Sequence, residues 1–136
     1  MIANSNIPDC FYRISIKALV LDNQGRFLLC RESDNWWNLP GGGLEYGESP
    51  RETLKREIKE EMGLDLVSME DQPSYFFIAK HRQWFMLAII IYWASIQNLN
   101  ITPSEECQEV RFFTPEEALR MDLFPDVVDF CKQYKI

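Results

Sequence analysis

The sequence predicts one α/β domain over residues 1–136, a mixed sheet with helices packed against it. Three observations carry this expectation. Several short stretches have the period-two or continuous apolar pattern of strands. Two segments open with a capping box and read as helices. The connections include a tight turn and helix-length crossovers, so antiparallel and parallel neighbours share the sheet.

In chain order, Ile14, Ile16, Ala18 and Val20 alternate with Arg13, Ser15 and Lys17, which predicts a half-buried strand over Arg13 to Leu21. Asp22-Asn23-Gln24-Gly25 is a turn, and Phe27-Leu28-Leu29-Cys30 returns as a second strand. Trp36 to Gly43 reads as a loop, with Pro40 ahead of three glycines. A helix from Pro50 to Met62 follows: Ser49 caps it, Glu52 completes the box, and Gly63 stops it. Leu64 to Met69, Ser74 to Ala79 and Trp84 to Ser95 read as strands. The third is the buried central one, because Met86 to Ala94 is continuously apolar and rich in β-branched and aromatic residues. That run is far short of the ~20 residues a membrane-spanning helix needs. Val110 to Phe113 is a short strand, and Thr114-Pro115-Glu116-Glu117 opens a second helix. Val127, Phe130, Cys131 and Tyr134 recur at helical spacing on a last helix, a stripe that core packing explains.

Lys and Arg number 14 against 21 Asp and Glu, a formal net charge of −7. That balance argues against a nucleic-acid polymer or an anionic membrane as partner, since both call for clustered positive charge. Small phosphorylated ligands stay open, because a bound divalent cation inverts the local sign. Cys10, Cys30, Cys107 and Cys131 show no CxxC spacing and read as reduced thiols of a cytoplasmic protein. The first ten residues lack the basic and apolar regions of a secretion signal. His81 is the only histidine, which excludes a His-based triad or zinc site.

The chemistry concentrates on the Pro50–Met62 helix. At 100° per residue, Leu54, Ile58 and Met62 form one buried stripe, and Glu57, Glu60 and Glu61 occupy the adjoining sector. Glu57 and Glu61 are a like-charge i,i+4 pair, mildly unfavourable in isolation, and three clustered acids raise one another's pKa. A hard divalent cation removes both penalties, and oxygen donors alone suit Mg²⁺ or Mn²⁺. A solvated acidic face balanced by Lys55, Arg56 and Lys59 accounts for the same residues. The glycine loop ahead of the helix shifts the reading toward a metal site, since it allows close backbone approach. Other phosphate-loop patterns fail: there is no GxxxxGK[ST], and Tyr46 stands where GxGxxG needs glycine.

Gly42-x5-Glu48-x7-Arg56-Glu57-Ile58-Lys59-Glu60-Glu61-Met62-Gly63-Leu64 resembles the Nudix box, GX5EX7REUXEEXGU, at every fixed position and both aliphatic ones. The lead-in Trp37-x-Leu39-Pro40-Gly41-Gly42 and the exit from Glu109 to Glu117 are similar to the family's flanks. The resemblance implies a Nudix-type α/β/α sandwich and hydrolysis of a nucleoside diphosphate linked to another group, using Mg²⁺ or Mn²⁺. It implies Glu57, Glu60 and Glu61 as metal ligands, with Glu48 pairing with Arg56 or touching metal. Carbonyls near Gly41 and Gly42 become extra ligands, Arg56 orients carboxylates, and Gly63 supports the motif. The general base stays open among Glu57, Glu60, Glu105, Glu106 and Glu109, with Glu106 favoured as a loop acid closing over the metals. For substrate contacts, Trp36, Trp37, Phe76, Phe77, Trp84 and Phe85 are candidates for stacking, and Arg31, His81 and Arg82 for phosphates. Arg31, Trp37, Arg82 and Trp84 are the ones carried forward, while His81 is expected to be exposed in a turn. The partner is a small nucleotide, and the resemblance allows a homodimer. A non-catalytic nucleotide sensor on the same fold is the alternative, and an RNA cap hydrolase fits a short acidic chain less well.

Overall fold

A computed structural model describes residues 11–81 and 85–135. The chain runs β1 (Tyr12–Leu19), β2 (Phe27–Arg31), β3 (Trp37–Asn38), β4 (Gly41–Gly43), α1 (Pro50–Met62), β5 (Leu66–Met69), β6 (Tyr75–Lys80), β7 (Met86–Ile96), β8 (Glu109–Phe113), α2 (Pro115–Ala118) and α3 (Pro125–Gln133). β7 is the centre of the larger sheet, ordered β4-β1-β7-β5 with β6 also on β7. It pairs in parallel with β1 and antiparallel with β5 and β6, the mixture the connections predict. A second sheet is ordered β3-β2-β8.

Period-two alternation divides the interior into two cores. Leu19, Phe27, Leu29, Ile89 and Ile91 face α3 with Val127, Phe130, Cys131 and Tyr134. Ile16, Ala18, Leu28, Cys30 and Tyr92 face α1 with Leu54, Ile58 and Met62. Layers of helix, sheet and helix result. Cys30, Cys107 and Cys131 are free and buried, and Cys10 lies outside the described residues. No helix of the described residues is long and apolar enough to cross a membrane.

Three expectations are corrected. The predicted loop Trp36–Gly43 contains β3 and β4, and β4 pairs antiparallel with β1, Ser15 opposite Gly43 and Lys17 opposite Gly41. Gly41 sits at φ 122°, and an added Cβ would strike the carbonyl oxygen of Ile16, so only glycine brings this backbone against β1. The strand after α1 starts at Leu66, because Leu64 is spent in the α1 core. From Ser15 onward β1 is not half-buried: Ser15 and Lys17 are enclosed, since the face opposite α1 is covered too, while Tyr12 and Ile14 at its start are exposed.

Candidate functional site

α1 carries the acids because its local signals agree. Ser49 accepts from the Glu52 N–H, Glu52 reciprocates on the Ser49 N–H, and Gly63 closes the helix in left-handed conformation with its N–H on the Lys59 carbonyl. Leu54, Ile58 and Met62 are fully buried and fix the rotation of the helix. That rotation turns Glu57 and Glu61 inward, to 9% and 5% exposure. Glu60, one residue before Glu61, is turned to solvent, so the packed helix separates it from the other two.

β4 meets these carboxylates directly. Glu61 Oε1 accepts from the Gly41 N–H at 3.0 Å. A Cβ on Gly42 would lie 2.6 Å from Glu57 Cδ, so the missing side chain is the room that Glu57 occupies. Arg56 ties the surroundings together. Its guanidinium donates to Glu48 at 2.8 and 2.9 Å, to Glu57 at 2.7 Å, to Glu60 at 3.3 Å and to the Gly43 carbonyl at 3.1 Å. Glu48 also accepts from Thr53 and from the Glu45 N–H.

The third acid of the set, exposed Glu106, comes from a distant loop. Ser104 Oγ donates to the Glu61 carbonyl at 2.7 Å, and the Thr102 N–H donates to the Met62 carbonyl at 2.8 Å. Across the loop, the Ser33 N–H donates to Glu105 O and the Gln108 N–H to Arg31 O. These bonds pin the loop between α1 and β2 and bring Glu106 to the site. Carboxylate oxygens of Glu57, Glu61 and Glu106 lie within 4.8 Å of one another. Burial holds the Glu57 and Glu61 carboxyls above the ordinary glutamate value, well above it for Glu61, and the neighbouring acids push the same way. Arg56 opposes this at Glu57, as Lys17 and the Gly41 N–H do at Glu61. The Arg56 hydrogen bonds bring Glu48 down to about 2. The result is a close set of oxygen donors, two of which, Glu57 and Glu61, burial makes costly to charge without a cation.

On the other face of β1 lies a cleft of about 200 Å³, lined by Arg13, Lys17, Asn38, Phe85, Phe124 and Asp126 among others. Lys17 is 5% exposed, and its ammonium donates to the Leu39 carbonyl at 3.2 Å and the Gly41 carbonyl at 3.3 Å. Asp126 is equally enclosed at the start of α3; burial raises its carboxyl above the ordinary value, against the pull of Lys17. Sequence reading missed Arg13, Lys17 and Asp126. The signal was there in the polar positions of β1, which alternation assigns to solvent when no second core is foreseen.

The expected substrate contacts fare unevenly. Trp37 is corrected: at 2% exposure its ring packs edge-on to Phe113 and under the Arg111 guanidinium, with no open face for a base. Arg31 is engaged by Glu109 at 2.9 Å and Asn35 at 3.0 Å. Arg82 and Trp84 lie outside the described residues. Trp36 packs edge-on to Phe124, and Phe76 is exposed on β6. His81 is corrected from simple exposure: it stacks on Phe85, centroids 4.3 Å apart, where both line the cleft.

The sequence profile described as NUDIX domain matches residues 11–133. Nucleoside triphosphatase NudI of Escherichia coli O139:H28 (strain E24377A / ETEC) is 30% identical over 118 residues, covering 76% of this chain and 84% of that protein. The crystal structure of a MutT protein from Methanosarcina mazei Go1 superposes with a TM-score of 0.74 at 27% identity, over 93% of this chain and 95% of that one. A UDP-X diphosphatase shares the fold, with a TM-score of 0.73 at 18% identity over 95% of this chain and 65% of its own. The chain therefore belongs to the NUDIX domain family and is a pyrophosphohydrolase.

Proposed function

We propose that this chain hydrolyses the diphosphate linkage of a small nucleotide derivative, a nucleoside diphosphate joined to another group, with Mg²⁺ bound and Mn²⁺ able to replace it. The observation that carries the reading is the Glu57, Glu61 and Glu106 set, its oxygens within 4.8 Å. The donors fit the ion: they are hard oxygens, with no His or Cys in the set, and burial makes the negative charge of Glu57 and Glu61 costly until a cation neutralises it. Glu57, Glu61 and Glu106 would hold it, with Glu48, Glu60 and the Gly42 carbonyl as further ligands. When bound, the ion shields phosphate charge and acidifies water.

The chain's own residues do the rest. Gly41 aims Glu61 through its N–H, and Arg56 aims Glu57. Glu106, on the anchored loop, is the carboxylate we favour for accepting the proton of the attacking water, ahead of Glu57 and Glu60. The cleft beyond β4 takes the nucleoside, against Phe85 and Phe124. Nucleoside triphosphates head the substrate panel, since a relative carries that activity in its name. Glu57→Gln and Glu61→Gln are each expected to lower turnover at least about a hundredfold. Wild-type rates in both variants, with Mg²⁺ present, would sink the reading.

A further inference from the structure

Among the described residues, Arg13 is the one guanidinium that lines the cleft, and the site's ion pairs do not use it. It stands on β1 between Tyr12 and Ile14, half-buried, on the same face as Ser15 and Lys17, and lines the cleft with them. Arg31 is held by Glu109, Arg56 by Glu48 and Glu57, and Arg26 by Asp22. Among the described residues, Arg13 has neither an ion pair nor a hydrogen-bonded acceptor. A half-buried guanidinium with five N–H donors and no acceptor is a group prepared for an anion that is not part of the protein.

Gly43 leaves the room that the guanidinium fills. A Cβ built on Gly43 would fall on the Arg13 guanidinium, 2.7 Å from Cζ and closer still to a terminal nitrogen. Gly43 does not have the positive φ of Gly41, so no backbone conformation requires glycine there. The Nudix box leaves this position free as well. What the missing side chain provides is room for Arg13, whose Nε and Nη2 edge faces Gly43. The neighbour on one side is Gly42, against which the Glu57 carboxylate packs, and the Gly43 carbonyl accepts from Arg56. The guanidinium thus lies where the cleft meets the acid set.

We propose that Arg13 binds the phosphate attached directly to the nucleoside, gripping its non-bridging oxygens as the substrate crosses β4, with Gly43 as the seat that holds the guanidinium in place. This rests on the reading that the nucleoside occupies the cleft and the scissile diphosphate the acids. A planar fork matches two phosphate oxygens, and a lysine in its place offers only a point charge.

The binding test works without metal and without turnover, and a hydrolysis assay of wild type with Mg²⁺ runs beside it. The four common nucleoside monophosphates and their matching nucleosides are titrated calorimetrically in EDTA against wild type, Arg13→Gln, Arg13→Lys and Gly43→Ala, each checked for folding by thermal melting. Wild type is expected to bind at least one monophosphate about tenfold or more tighter than its nucleoside, the scale of a charge-assisted hydrogen bond. Arg13→Gln should erase that preference, Arg13→Lys keep part of it, and Gly43→Ala reduce it by displacing the guanidinium. A wild type with no preference, or an Arg13→Gln that retains it, overturns the phosphate contact; a Gly43→Ala that retains it overturns the seat. Loss of preference in Arg13→Gln beside a wild type that hydrolyses no nucleotide would leave the phosphate contact standing and remove the hydrolase reading. Hydrolysis with a preference indifferent to Arg13 would do the reverse.

Discussion

Glu61 gathers the electrostatics of the site into one side chain. It is enclosed, faces Glu57 and Glu106, and is answered by the Lys17 ammonium and one backbone N–H. In the folded chain its carboxyl and that of Glu57 stand above the ordinary 4.5. An acid raised in this way binds its proton more tightly folded than unfolded. It adds stability below the ordinary value, and that stability is lost as pH rises through the folded value. Glu48, lowered to about 2, has the opposite sign: its stability is present above 4.5 and lost as pH falls toward 2. In EDTA, the melting temperature should therefore rise as pH falls from the alkaline side toward the ordinary 4.5, and Glu61→Gln should flatten that rise. Added Mg²⁺ should reverse the trend, since it favours the ionised carboxylates and raises the melting temperature most at the alkaline end. Equal pH slopes for wild type and Glu61→Gln in EDTA would remove Glu61 as the cause.

At the scale of elements, α1 and β4 build one site by unlike means. α1 announces itself: Ser49, Pro50, Glu52 and Gly63 mark its ends, and Leu54, Ile58 and Met62 mark its buried side. β4 is three glycines, and a strand without side chains shows no alternation to read. Its pairing with β1 is specified by absence, through the backbone approach at Gly41 and the room left at Gly42 and Gly43. That is why the helical acids were legible in the sequence while the strand beneath them passed for a loop. Glu106 was legible only as one of several loop acids, because the Ser104 and Thr102 bonds that place it join residues 40 or more apart in sequence. Lys17 and Asp126 were hidden by the second core, which makes both faces of β1 interior. The contrast predicts two different outcomes. Ser49→Ala removes a cap and should cost about 1 kcal/mol by urea denaturation, with Mn²⁺ affinity unchanged. Gly41→Ala must strain a φ of 122° and push β4 off β1, withdrawing the N–H from Glu61. It should weaken Mn²⁺ binding, read by electron paramagnetic resonance, at least about tenfold even where the protein remains folded. Unchanged Mn²⁺ affinity in Gly41→Ala would show that β4 does not set the carboxylate geometry.

At the scale of the molecule, one sheet separates the acid set from the cleft proposed for the nucleoside, and the two half-sites of that proposal rest on different cores. The acids stand on α1 and its core of Leu54, Ile58 and Met62; the cleft is walled by Phe124 and Asp126, ahead of and at the start of α3, over the core of Phe27, Phe130 and Tyr134. β1 and β4 touch both, and Lys17 and Arg13 both line the cleft beside them. Damage to one core should then reach the two half-sites unequally. Phe130 is fully buried, edge-on to Phe27 and Tyr75 and stacked with Tyr134, so it fixes how α3 sits on the sheet. Phe130→Ala should cost about 3–5 kcal/mol, near the limit a domain of this size tolerates. Under conditions where the variant is folded, its KM for nucleotide should rise several-fold while Mn²⁺ affinity stays within about twofold of wild type, because perturbations without shared partners act nearly independently. Parallel loss of Mn²⁺ affinity and nucleotide affinity would mean that the two half-sites are one rigid unit, with Lys17 transmitting the shift of α3 across β1 to Gly41 and Glu61.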